Sequence, residues 1–325
     1  MSILLTGATG FVIANLARYL AEQGHEVIAA DLNSPDPPLR QFLRRRPGRI
    51  VFHRVDVTNP RAVHRLMETT RPAQVVHGAA ITSIPPEVER ARFLRTAEVN
   101  VMGTLHVIDA AREASAGRIV VVSSGSVYGP REDLLPISEG DPRQPEQLYP
   151  LTKWAAEALG RRLGQVHGLD LAAVRLASPF GPFERDTGSR PLLSSIREWT
   201  VAALRGETVR VGGSLTTRRD SVYAADIASG IAAVLLAERL PHDVYNVGWG
   251  RDASAEEVLA ALRRLVPELR VDHRPDEPSP WSASAARGPL RIDRLRTDLG
   301  WSPRFDLDSG LAAYLEWLRA NPSVG

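Results

Sequence analysis

From Ser2 to about Ala177 apolar runs alternate with stretches of helical spacing, and the first junction between them is made of glycine. Ser2 to Thr6 is a short apolar run that enters Thr6-Gly7-Ala8-Thr9-Gly10, after which Phe11, Leu16, Tyr19 and Leu20 repeat at helical intervals up to Gln23. A strand, a glycine turn and a helix, repeated along the chain, predict an α/β fold with a doubly wound parallel sheet. Ligands of such sheets sit at the carboxyl ends of the strands.

Glycines in the first turn let backbone approach a pyrophosphate, whose charge is met by free N–H groups and the helix dipole. Gly7, Thr9, Gly10, Phe11 and Val12 are the candidates for that contact. A second strand, Glu26 to Ala30, ends in Asp31, placed where a carboxylate accepts bonds from both ribose hydroxyls of a dinucleotide and repels a 2′-phosphate. NAD is thus favoured over NADP, the competing reading of Asp31 being a plain loop acid. The third strand, Ile50 to Val55, closes with Asp56-Val57. Asp56 either bonds the adenine amino group or caps the helix that begins near Arg61.

Gln74 to His77 reads as a buried strand, with His77 as a satisfied core residue. The small residues Gly78, Ala79 and Ala80 follow, and would let a flat cofactor lie against backbone. Ala91 to Ala114 reads as one long helix. Asn100 within it signals either a buried hydrogen-bond bridge or an exposed face.

The chemistry-bearing stretch runs from Val120 to Lys153. It holds Ser123-Ser124-Gly125-Ser126-Val127-Tyr128-Gly129 and then Tyr149-Pro150-Leu151-Thr152-Lys153. Four residues apart on a helix, Tyr149 and Lys153 share one face, so a phenol and an ammonium can be aimed at one point. Of the 40 Lys and Arg residues only Lys153 is a lysine, as expected if a compact, tunable amine is required there and an arginine fork is not tolerated. A free phenol ionises near pH 10, too high for an efficient base at neutrality, and a neighbouring ammonium would favour the phenolate.

A length of 325 residues accommodates two lobes, and a formal charge of +2 gives little reason to expect nucleic-acid binding. The one basic cluster, Arg44-Arg45-Arg46, reads as a solvated helix end. The absence of cysteine excludes disulfides, thiolate metal sites and a cysteine nucleophile, and no metal is expected. No signal peptide or membrane-length apolar run is read, which points to a soluble, cytoplasmic protein without membrane partners.

The motifs in their order, from Thr6-Gly7-Ala8-Thr9-Gly10-Phe11 through Ser123-Ser124 and Tyr149 to Lys153, to Arg219-Asp220-Ser221-Val222-Tyr223, Tyr245-Asn246-Val247-Gly248 and Leu299-Gly300-Trp301-Ser302-Pro303, resemble the extended short-chain dehydrogenase/reductases, specifically the NAD-dependent epimerase/dehydratase family. The resemblance implies a Rossmann NAD-binding domain over residues 1–178, with 221–250 returning to it. Residues 179–220 and 251–325 would form a smaller α/β substrate lobe, and a homodimer would pair the helices around Leu105, Val107 and Ile108 and from Tyr149 to Val166. It implies Tyr149 as general acid/base, Lys153 on the nicotinamide ribose and lowering the phenol pKa, and Ser124 on the substrate hydroxyl. Asp31 and Asp56 would bind adenosine, with Asn100 and Gly78 to Ala80 lining the cofactor. Ser126, Ser178 and Arg219 would meet the substrate.

There are three departures from the family pattern. Ile13 stands where a third glycine is usual, and a slight helix shift is expected to accommodate it. Gly125 and Ser126 replace the acidic pair of the sugar dehydratases, which disfavours elimination. Ser178 replaces an asparagine that grips a diphosphate, while Arg219 is kept; Arg185 and Arg190 either hold a carboxylate or phosphate or are surface charge. The expected activity is oxidation of a carbinol on a sugar or nucleotide sugar, as an epimerase. Net dehydrogenation of a sugar, sugar acid or other small hydroxy compound is the alternative, and a non-catalytic NAD sensor a third reading.

Overall fold

In a computed structural model, which describes residues 1–44, 46–82, 86–279, 281 and 286–322, the chain builds the doubly wound α/β architecture that the alternation predicts. The central parallel sheet contains β1 (Ser2–Thr6), β2 (Glu26–Asp31), β3 (Ile50–Arg54), β4 (Gln74–His77), β5 (Ile119–Ser124) and β6 (Leu171–Leu176). Beyond β6 come β7 (Ser178–Phe180), β8 (Val209–Gly212), β9 (Arg218–Arg219), β10 (Ser221–Tyr223), β11 (Val244–Val247), β12 (Ala253–Ser254) and β13 (Val271–Arg274). Strand β11 returns to the central sheet, whose order is β11-β6-β5-β4-β1-β2-β3. The order reverses beside β1, which is flanked by β2 on one side and β4 on the other, so the connections leave in opposite directions and a crevice opens between their carboxyl ends.

Helices cover both faces: α1 (Phe11–Glu22), α2 (Pro37–Phe42), α3 (Pro60–Thr70), α4 (Pro86–Ala97), α5 (Gly103–Glu113), α6 (Leu148–His167), α7 (Ser195–Leu204), α8 (Ala224–Leu236), α9 (Ala255–Leu265), α10 (Asp293–Leu299) and α11 (Leu307–Ala320). No helix among the described residues is long and apolar enough to cross a membrane. One apolar core joins α1 and α8 to one face of the sheet, and another joins α3 and α5 to the opposite face. A third, around Trp199, Val211, Leu259, Trp281 and Tyr314, belongs to the segments beyond β7.

Three expectations change. The helix expected over 91–114 is interrupted by a π-turn at Glu98–Met102, which carries Asn100 inward to complete burial. Ser178-Pro179-Phe180-Gly181-Pro182 reads in the sequence as a loop, but Ser178 to Phe180 forms a parallel pair with Ser221 to Tyr223; Pro179 lacks an N–H, and a short two-stranded pair tolerates that where a central strand would not. The basic cluster after α2 is solvated only in part. Arg46 pairs with Glu22 at 3.0 Å and reaches the Phe42 carbonyl, Arg44 is exposed, and Arg45 lies outside the described residues.

Behind β5 lies a buried polar network. Arg175, 1 % exposed, donates to Glu157 at 3.2 and 3.0 Å, to the Tyr128 hydroxyl at 2.8 Å and to the Glu139 carbonyl at 3.1 Å. Glu157 also accepts from Ser123 Oγ at 2.7 Å, and the Tyr128 hydroxyl donates to Asn246 Oδ1 at 2.8 Å. Strands β5, β6 and β11 are thereby locked to α6, the helix that carries Lys153. Removal of one partner leaves a buried charge unpaired. Arg175→Met should therefore cost about 3–5 kcal/mol in urea unfolding, and the Arg175→Met/Glu157→Met double variant substantially less. Equal losses in single and double variants would refute the network's role.

Candidate functional site

Two adjoining clefts open at the carboxyl ends of the sheet, one of about 260 Å³ over β1, β4 and β5 and one of about 450 Å³ toward the segments beyond β7. Ser124 and Tyr149 line both. The first cleft collects Gly7, Thr9, Gly10, Phe11, Val12, Asp31, Asp56, Val57, Gly78, Ala79, Ala80 and Lys153. The second collects Ser126, Ser178 and Arg219. Asn100 lines neither. Its side chain accepts from Ile81 N at 2.8 Å and donates to Ile81 O at 3.0 Å and Thr152 Oγ1 at 2.9 Å, pinning the segment after β4 to α6 from behind the cleft.

Gly7 has φ +78, and a Cβ there would lie 2.7 Å from Ala79 N, so both its conformation and its surroundings require glycine. Helix α1 starts at Gly10 with no side-chain cap. Asp31 Oδ2 accepts from Thr9 N at 3.0 Å and Oδ1 from Asn33 N at 2.9 Å, which fixes the carboxylate at the cleft wall. An uncapped helix start, a side-chain-free turn and an oriented carboxylate fit the pyrophosphate and ribose of a dinucleotide.

Asp56 is not the helix cap; Asn59 is, accepting from Ala62 N at 3.2 Å. Burial raises the Asp56 carboxyl pKa, but bonds from the Thr58 N–H and hydroxyl and the Arg95 guanidinium at 2.8 Å outweigh burial and hold it low. Arg95 lines the same cleft and was not singled out in the sequence, where it is one arginine among many.

Lys153 is buried, and loss of water draws its pKa down to about 8 against the opposing charge of Glu157. His77 is fully buried and only half satisfied. Nδ1 meets Thr6 Oγ1 at 2.7 Å, Nε2 has no partner among the described residues, and burial with the nearby Lys153 charge lowers its pKa to about 3. The Tyr149 phenol is raised above its ordinary value by burial, opposed by a hydrogen bond with Ser124 and by the charge of Arg190. Arg190 is thus a further cation beside the phenol, in addition to Lys153, which lines the same cleft. Ser124 Oγ is itself 2.8 Å from Ser126 Oγ, so a hydroxyl chain leads from the phenol toward the second cleft.

Arg190 lines both clefts, stands over the Phe11 ring at 5.2 Å and pairs with buried Glu184 at 2.8 Å. It belongs to residues 183–190, a strap across the first cleft. Arg185 pairs with Asp36, Thr82 N donates to Ser189 O at 2.8 Å, and Arg92 donates to Gly188 O at 2.6 Å. In the second cleft Arg219 donates to Trp281 O at 2.6 Å. Its pKa is lowered to about 10 by burial and by the neighbouring Arg287. Two guanidiniums crowded at one wall favour an anion between them. Arg287 and Trp281 join this wall through tertiary packing and carry no local sequence signal.

Residues 3–248 match the model of the NAD dependent epimerase/dehydratase family. A UDP-glucose 4-epimerase of Mycolicibacterium smegmatis is 29% identical over 323 residues, covering 98% of this chain and 99% of that protein. A dTDP-glucose 4,6-dehydratase of an Actinoplanes species is 28% identical, covering 99% of each. Among solved structures, MoeE5 in complex with UDP-glucose and NAD superposes with a TM-score of 0.83 at 26% identity, covering 99% of this chain and 100% of that one.

With the Arg190 charge removed, the phenol pKa rises and less phenolate is present at a given pH. Arg190→Met should therefore move the acidic limb of the pH–rate profile to higher pH, lowering turnover on that limb about tenfold per unit moved, while Arg190→Lys leaves it nearly in place. A limb unmoved by Arg190→Met would remove Arg190 from this role.

Proposed function

Because the chain belongs to the NAD dependent epimerase/dehydratase family, we propose that this enzyme is a nucleotide-sugar epimerase that oxidises a substrate carbinol and returns the hydride to its opposite face. NAD is the cofactor, and when bound it supplies the hydride acceptor and donor. The observation that carries the reading is the sharing of Ser124 and Tyr149 by the two clefts, since a reacting carbinol must face cofactor and acid/base at once.

In this reading Tyr149 takes the carbinol proton and later returns it, while Ser124 holds the hydroxyl in line. Lys153 holds the nicotinamide ribose. Asp31 takes the adenosine ribose, and Thr9 to Val12 receive the pyrophosphate. Residues 1–178 with 221–250 carry the cofactor; 179–220 and 251–325 carry the substrate, with Ser126 and Ser178 at the sugar side and Arg219 and Arg287 on the diphosphate. Elimination of water needs an acid and base besides the tyrosine, and Gly125 and Ser126 offer none at the positions that follow Ser124. The strap favours epimerisation over net oxidation, because a cofactor held beneath it stays through both half-reactions.

Incubation of the purified enzyme with UDP-sugars and no added NAD should interconvert epimers, and Tyr149→Phe should lower turnover by about three orders of magnitude while NAD binding persists. Net NADH release on added NAD would instead establish the dehydrogenase reading. A homodimer is also proposed, although Val107 and Ile108, expected at its interface, are buried against their own sheet. Exposed apolar residues along the two helical segments expected at the interface include Phe93 and Leu94 of α4, Met102 of the π-turn, and Leu151, Leu159 and Val166 of α6. Light scattering should give twice the chain mass, and Leu94→Glu/Leu159→Glu a monomer; a monomeric wild type would overturn the assignment.

A further inference from the structure

Glycine at position 78 has no conformational cause. Its φ lies outside the left-handed region, and its N–H bonds Thr6 O at 3.1 Å as any residue's would. What excludes a side chain is one neighbour: a Cβ at Gly78 would lie 2.3 Å from Ile13 Cδ1 and 2.5 Å from Ile13 Cγ1. Ile13, in turn, is the residue that departs from the glycine pattern of the turn, and it is 2 % exposed with its remaining sides in the core. Both residues border the first cleft.

We propose that Ile13 and Gly78 are a complementary pair that sets the width of the dinucleotide cleft, the missing side chain on β4's exit making the room that the missing third glycine would have made on α1. The inference rests on NAD occupying this cleft. With Ile13 close-packed on its core sides, a side chain at position 78 presses its δ-methyl toward the cleft that both residues border. Gly78 is therefore a positioning residue for NAD, acting through Ile13.

Calorimetric titration of cofactor-stripped protein with NAD, alongside melting of the same samples, tests the pairing. Gly78→Ala should weaken NAD binding by about tenfold or more, Ile13→Ala should bind nearly as wild type, and the Ile13→Ala/Gly78→Ala double variant should return to within about threefold of Ile13→Ala. A purely structural role would lower the melting temperature of Gly78→Ala and leave its NAD affinity unchanged. That result, or a double variant as weak as Gly78→Ala alone, overturns the proposal. Should Gly78→Ala fail to fold, Ile13→Phe presses on the same notch from the other side, and undiminished NAD affinity in that variant overturns it equally.

Discussion

Backbone meets backbone where the Gly7 turn lies against Ala79, with no space between them for even one methyl group. This contact is possible because β1 and β4 are hydrogen-bonded neighbours whose connections diverge, and everything else in the site takes its place from it. The contact sets the distance between the start of α1 and the exit of β4. Asp31 is then oriented by the same turn through Thr9, and Asn100 clamps the segment after β4 to the helix carrying Tyr149 and Lys153. A shift of that one contact would move both halves of the site.

The Tyr149 phenol is tuned by opposition. Burial disfavours the phenolate, while a hydroxyl and a guanidinium favour it, and the balance leaves the pKa above its ordinary value. A buried ion pair stands directly behind Lys153, and Glu157 belongs to both the pair and the ammonium's surroundings. Rigidity and charge tuning thus come from the same side chains. This sharing explains why a residue as costly to bury as Arg175 sits in the sheet.

Much of this was legible in the sequence because it is local. The first strand, its glycine turn and Asp31 follow one another within about 30 residues in an order with a known steric logic, and Tyr149 and Lys153 are one helical turn apart. What stayed hidden depends on residues far apart in the chain. Asn100 lies in a π-turn that no hydrophobic period announces, and the short strand of Ser178 to Phe180 is set by its pairing with Ser221 to Tyr223, about 40 residues on. Arg190 reads in the sequence only as an anion ligand or surface charge, and its place over Phe11 comes from the fold. Ile13 looked like an obstruction, because the glycine that accommodates it is on another strand.

The solitary lysine has a consequence outside the reaction. The chain's only ε-amine is buried inside the working site, so its surface presents guanidiniums and no lysine amine. Acylating enzymes, conjugation machinery and amine-directed labels would find no lysine amine on the surface of this fold. A mark placed on the one side-chain amine would require the site to open first, and would record that opening.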